Sequence, residues 1–130
     1  MGQQQLLLIV LGIIVVGIAI VSGINIFAAS AEQANRDAIV SDLIQLSTMA
    51  LAHYNLPVAL GGGGHSFANF KIPAALSETA DGTIEHTQTG HKTNHIHFTG
   101  TGTEIGNDGI EPIQIEIRIT ATEITNKEIN

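Results

Sequence analysis

Residues 6–29 read LLLIVLGIIVVGIAIVSGINIFAA, a run of twenty-four without a charged side chain. A helix rises about 1.5 Å per residue, so this run is about 36 Å long, enough to cross a bilayer core. It is apolar all round and has no wet face, so something apolar must surround it: lipid, or other copies of the same helix. All seventeen charged residues, twelve acidic and five basic, lie in residues 31–130. Those hundred residues are enough for one small domain with a modest core. The chain therefore divides into an apolar helix half, 1–30, and a head, 31–130.

The apolar run is longer than the core of a secretory signal, and the preceding MGQQQ carries no Lys or Arg. The segment is therefore expected to stay in the working protein. A plain membrane anchor is the simplest reading of hydropathy alone. Two features point instead to assembly. Helical character continues past the apolar run: residues 31–55 contain no Gly or Pro. Within them Ile39, Leu43, Leu46, Ala50 and Tyr54 step by 4, 3, 4 and 4, one face of a helix. Val40, Ile44 and Leu51 widen that stripe, and Asn55 and Pro57 stop it. One helix from about residue 3 to 54 is predicted, far longer than a span. The second feature is the punctuation of the apolar half by Gly12, Gly17, Ala19, Ser22 and Gly23. Small residues let helix backbones approach closely. Asn25, inside the same stretch, needs a hydrogen-bond partner there.

After the helix comes PVALGGGG, residues 57–64, within a Gly-rich loop over 57–65. No G-x-x-x-x-G-K-[ST] pattern is present and no strand precedes it, so it reads as a hinge or reversal and not a phosphate loop. Sheet patterns fill 66–130. Residues 66–72 are a short strand or an irregular cover. Residues 77–82 read as a loop. Thr83–Thr89 and Thr93–Thr99 read as a hairpin about Gly90-His91. A turn is expected at Asp108-Gly109. The clearest strand is IQIEIRITATEI, residues 113–124, with Ile113, Ile115, Ile117, Ile119 and Ala121 on one face and polar residues on the other. Its apolar face needs an apolar partner, and the Ile39/Leu43/Leu46/Ala50 stripe is the large one left. The predicted fold is α+β, a long N-terminal helix with a small three- to four-stranded antiparallel sheet on its C-terminal half. Burying the four isoleucines would contribute about 6–12 kcal/mol before entropy.

No enzyme is expected. There is no G-x-S-x-G, no H-E-x-x-H and no carboxylate pair at meaningful spacing. Cysteine is absent, which excludes disulfides, thiolate metal sites and c-type haem, and no cofactor is implied. Arg36, Lys71, Lys92, Arg118 and Lys127 are scattered, so nucleic acid is not an expected partner. Five of the six histidines fall between 65 and 97: His65, His86, His91, His95 and His97. His95 and His97 share one face of a strand and, with Glu85 opposite, are weak metal candidates. Exposed polar residues on a wet sheet account for them more simply, and a pH-responsive surface is a third reading. The Thr99–Thr103 run is compatible with O-linked sugar on an exposed surface.

A helix that is apolar in its first half and amphipathic in its second, carrying a small sheet at its far end, resembles the type IV pilin superfamily. As sequence the resemblance covers residues 1–30 and as architecture the whole chain. It implies a structural subunit that polymerises with copies of itself into an extracellular, cell-surface filament. The filament core would be Leu6, Leu7, Leu8, Ile9, Val10, Leu11, Ile13, Ile14, Val15, Val16, Ile18, Ile20, Val21, Ile24, Ile26 and Phe27. It also implies a membrane-embedded precursor and a pilus assembly machinery. Gly2 occupies the place of the family's processing glycine, which makes Gln3 the first mature residue. The fifth mature position, usually Glu, is Leu7 here, and the leader would be Met-Gly without basic residues. A single-pass surface protein with a His-rich metal-binding sheet and a pseudopilin of a secretion system are the alternatives.

Overall fold

A computed structural model describes residues 2–87 and 94–129. One uninterrupted helix, α1 (Gly2–Asn55), runs the length of both halves. Its 54 residues make it about 80 Å long. Ile39, Leu43, Leu46 and Ala50 are buried, as their spacing predicts, and Tyr54 packs against them half-buried. Val40 and Leu51 are half-buried at the stripe's edges, while Ile44 stays exposed.

The last carbonyls of a helix lack internal donors. Here the glycine run supplies them. Gly63 N–H donates to the His53 carbonyl (2.7 Å), His65 N–H to that of Tyr54 (2.8 Å) and Gly64 N–H to that of Leu56 (3.0 Å). Gly61 takes a left-handed φ of 85° at the end of a short 3-10 turn, Val58–Leu60. A Cβ on Gly62 would collide with the Leu56 carbonyl. The run is thus a tight reversal that caps α1 and turns the chain back toward the sheet.

Residues 66–72 form no strand. They lay Phe67 and Phe70, both buried, over the far end of the core, where Phe67 meets Tyr54 at 4.8 Å and Phe70 meets Phe98 at 5.9 Å between ring centroids. A one-turn helix, α2 (Ala74–Ser77), leads into the sheet.

The sheet has five strands, not three or four. They are β1 (Glu78–Thr79), β2 (Gly82–Thr87), β3 (His95–Ile105), β4 (Pro112–Thr120) and β5 (Ile124–Glu128), antiparallel neighbours in chain order. The two additional strands have physical reasons to escape a reading by period. β1 is two residues long, where a loop is expected. β5 comes from splitting the predicted 113–124 strand: Thr120 N–H and its hydroxyl both donate to the Glu123 carbonyl (2.8 and 3.0 Å), and Glu123 N–H donates back to Thr120 Oγ1 (3.0 Å). The chain reverses there, and Ala121 is exposed instead of facing the core. The β2–β3 pairing of the expected hairpin is present, while its turn, with His91, lies outside the described residues.

Helix and sheet meet on a track of glycines. Ile113, Ile115, Ile117 and Ile119 face α1 from β4, and Ile96 and Phe98 from β3. Farther along β3, Gly100 and Gly102 take the inward positions. A Cβ on Gly100 would lie 2.6 Å from Ile39 Cγ2, and one on Gly102 would collide with Asn35 Oδ1. The Thr/Gly run is therefore the place where the helix comes closest to the sheet. Asn35, buried one step before Ile39 on the same stripe, fastens it. Its Nδ2 donates to the Asp81 carbonyl (2.7 Å) and to Thr103 Oγ1 (3.3 Å). Its Oδ1 accepts from the N–H groups of Thr103 (3.1 Å) and Glu104 (3.3 Å). The β3–β4 register shifts between Thr101 and Ile105, and the Thr103 N–H is shared between Asn35 Oδ1 and the Asp81 carbonyl (3.1 Å).

Candidate functional site

The first candidate is the helix itself. From Leu6 to Phe27 the large apolar side chains are 52–78% exposed, and none of this apolar stretch is buried within the chain. Gly2 and Gln3, the candidate processing pair, are the first residues of α1 and are exposed. Around Gly12, Gly17 and Gly23 the space a Cβ would take is open. These shallow notches would admit a neighbouring helix. The helix is long and apolar enough to cross a membrane.

The second candidate is the outer face of the sheet. Antiparallel pairing places Glu85, Thr99, Glu116 and Lys127 in one row across it. His97, Arg118 and Thr125 form the next row, and His95 stands beside Thr120. The rings of His95 and His97 lie edge to face with centroids 5.4 Å apart. Glu85 does not join them. The expectation places Ile84 beside Ile96 or Phe98, which would bring Glu85 opposite a histidine. Ile84 instead pairs with Gly100, because that glycine leaves room for Ile39, and Glu85 pairs with Thr99. The carboxylate that reaches a histidine is Glu116, whose Oε1 lies 2.7 Å from His97 Nδ1. Its signal was present in the sequence as an outward position of β4, but only the register selects it. Among the described residues no group of three His, Cys, Asp or Glu side chains converges as a metal site would require. His86 lies on the inner face, opposite Phe98. His53 and His65 belong to the helix cap, packed edge to face against Phe70 and Tyr54.

The described surface also has recesses, one of them between the helix and the β3–β4 connection, lined by Ala28, Ala29, Glu32, Glu104 and Gly109 among others. His97, Glu116, Arg118, Thr125 and Lys127 line a shallow depression on the outer face. A shallow apolar groove runs between α1 and β5, lined by Val40, Ile44, Ile117 and Ile124 among others. At the groove's end Arg36 is held between Glu32, one helix turn back at 3.0 Å, and Glu128 of β5.

Compared with protein-family models, curated proteins and solved structures, the chain matches none of them.

Proposed function

We propose that this chain is the structural subunit of an extracellular filament of the type IV pilus kind, polymerising through residues 6–27 of α1. One observation carries the reading: the same unbroken helix is packed from Asn35 onward by its own head, yet bare on every side from Leu6 to Phe27. Burial of apolar surface stabilises by about 25 cal/mol per Å². A helix with no polar face gains this only when neighbours cover it all round. Sister helices do so in a fibre, and lipid does so before assembly. The open notches at Gly12, Gly17 and Gly23 favour sister helices, because they permit close backbone approach. The continuity of α1 favours them too, since a rigid connection makes every head follow its helix into a regular outer wall.

Gly2-Gln3 is the proposed processing point, and Leu7 replaces the family's acid, so helix register would be set by packing and not by a buried charge pair. Negative-stain microscopy of sheared surface material is the test. Thin fibres containing the chain are expected. Dispersed, detergent-soluble single molecules would overturn the proposal and leave a single-pass anchored protein.

A further inference from the structure

A helix that packs on a sheet by one side normally carries charged residues on the other. The distal half of α1 departs from this. Residues 43–52 include no charged side chain. Their buried side faces the sheet, and their exposed side presents Ile44, Gln45, Thr48, Met49 and Ala52. Ile44 is 53% exposed. The Thr48 hydroxyl donates to the Ile44 carbonyl (3.0 Å), so its proton is already engaged. Ile44 also borders the groove between α1 and β5, where Ile117 and Ile124 line the same recess. The uncharged side of the helix and the groove thus join into one surface. Exposed apolar side chains without charge among them mark the core of an interface.

What covers this surface must itself be uncharged over about 15 Å of helix. Among the described residues one exposed helical stretch has that property: residues 6–27, which carry no charge and are bare on every side. The lengths agree as well. Residues 6–27 of α1 span about 33 Å, and the head's share of the same helix, residues 32–55, spans about 36 Å. A second copy advanced by about thirty residues, or about 45 Å, sets its Ile14 level with Ile44 of the first. Its own head then begins just past Asn55, where the first helix ends. One displacement therefore lays the bare half along the uncharged side and lets the second head follow the first.

We infer that the exposed side of α1 around Ile44 and Thr48, with the groove beside it, receives the bare half of a second copy advanced by about 45 Å along the fibre. The bare half gains an apolar neighbour on one side, and Ile44 loses its exposure to water. Different parts of the two copies meet, so the contact is heterologous and repeats without closing, as a fibre contact must. This inference rests on the filament reading and names the contact that ties each head to the helices of the core.

The chain has no cysteine, so disulfide trapping in the full chain tests the contact directly. Ile44→Cys is combined in turn with Ile13→Cys, Ile14→Cys, Val15→Cys and Val16→Cys, one helix turn that presents every side of the bare half. Oxidation of assembled fibres should link chains into a ladder in at least one of these combinations. Ile44→Cys alone should give none, because equivalent residues do not meet in a heterologous contact. Thr48→Glu supplies an independent readout. It should raise the concentration needed for fibre assembly about tenfold or more, since it buries an unpaired carboxylate between copies. It should leave the head's unfolding midpoint unchanged, because Thr48 is exposed in the single chain. Wild-type fibres with no ladder in any combination, or with Thr48→Glu assembling at the wild-type concentration, would overturn the contact and leave the filament standing. A linked dimer from Ile44→Cys alone would overturn it too, because it would set Ile44 against Ile44. Absence of wild-type fibres would remove the filament reading and this contact with it.

Discussion

The two halves of α1 obey the same helical geometry and meet opposite fates. Residues 35–54 place Ile39, Leu43, Leu46 and Ala50 along one stripe, and the head covers that stripe completely. Residues 6–27 are apolar on every side, and the head covers none of it. A stripe is a local instruction that one small sheet can satisfy. An all-round apolar surface is an instruction the chain cannot satisfy alone, and it directs the molecule toward an apolar surrounding. The distal half therefore specifies the fold, and the proximal half specifies the company the fold keeps.

One substitution made in each half separates these roles. Leu46→Ala should lower head stability by about 2–5 kcal/mol, because Leu46 is fully buried in the core shared by helix and sheet. Leu11→Ala should leave the head's unfolding midpoint in denaturant unchanged, because Leu11 is 55% exposed and touches no part of the head. Equal losses in the two variants would mean that the halves are not energetically separate. Next in size is Ile14→Asp, a charge in the middle of the bare half. Placing a carboxylate at the centre of an apolar layer costs about 2.5–3.5 kcal/mol per copy. Fibre formation should be lost while circular dichroism of the head keeps its wild-type midpoint. Fibres of normal yield would show that this surface is not covered by other copies.

The same contrast explains what could be read from residues alone. Period decides clearly where one face is wet and the other dry, so the α1 stripe and the inward isoleucines of β4 were legible. Period is silent where a residue contributes by being small. Gly100 and Gly102 determine how closely the helix sits and hence how β2 registers on β3, yet a TGTGT run looks like exposed linker. That is why the residues alone point to Glu85 beside the histidines and not to Glu116. β5 escaped for a related reason: all five of its residues are exposed, so no alternation betrays it. Phe67 and Phe70 cover the core from an irregular segment, which has no period at all. Asn35 carried a usable signal, a polar residue four positions before Ile39 on an otherwise apolar stripe. Such a residue must find partners when buried.

Asn35→Ala gives the next smaller effect. It removes the 2.7 Å donor to the Asp81 carbonyl and the acceptor of the Glu104 N–H, while the Thr103 N–H and the Asp81 carbonyl keep each other (3.1 Å). Because the site is part-buried, a loss of about 1–3 kcal/mol is expected from the desolvated groups left behind. Leucine at the same position should not rescue it, since it fills the space without replacing a donor or an acceptor. Denaturant unfolding of Asn35→Ala, Asn35→Leu and wild type distinguishes the cases. A fully stable Asn35→Leu would show that packing, and not the hydrogen bonds, joins the helix to the bulge.

The smallest effect concerns the border between the covered and the bare halves, where Arg36 links Glu32 of the helix to Glu128 of β5. Glu128 is more than half exposed, so its ion pair is screened by water and should contribute no more than about 1 kcal/mol. Its role is local. β5 is an edge strand with every residue exposed, held to β4 on one side and to the helix through Arg36. Glu128→Gln should therefore leave the global midpoint nearly unchanged and raise amide hydrogen exchange in residues 124–128 selectively, by local opening of the strand. Exchange that rises equally in β3 and β4 would mean that β5 opens only when the whole head does, and that the bridge to Arg36 is part of the global fold. Selective opening would place the limit of the head's cooperative structure at its last strand, beside the point where α1 leaves its own domain.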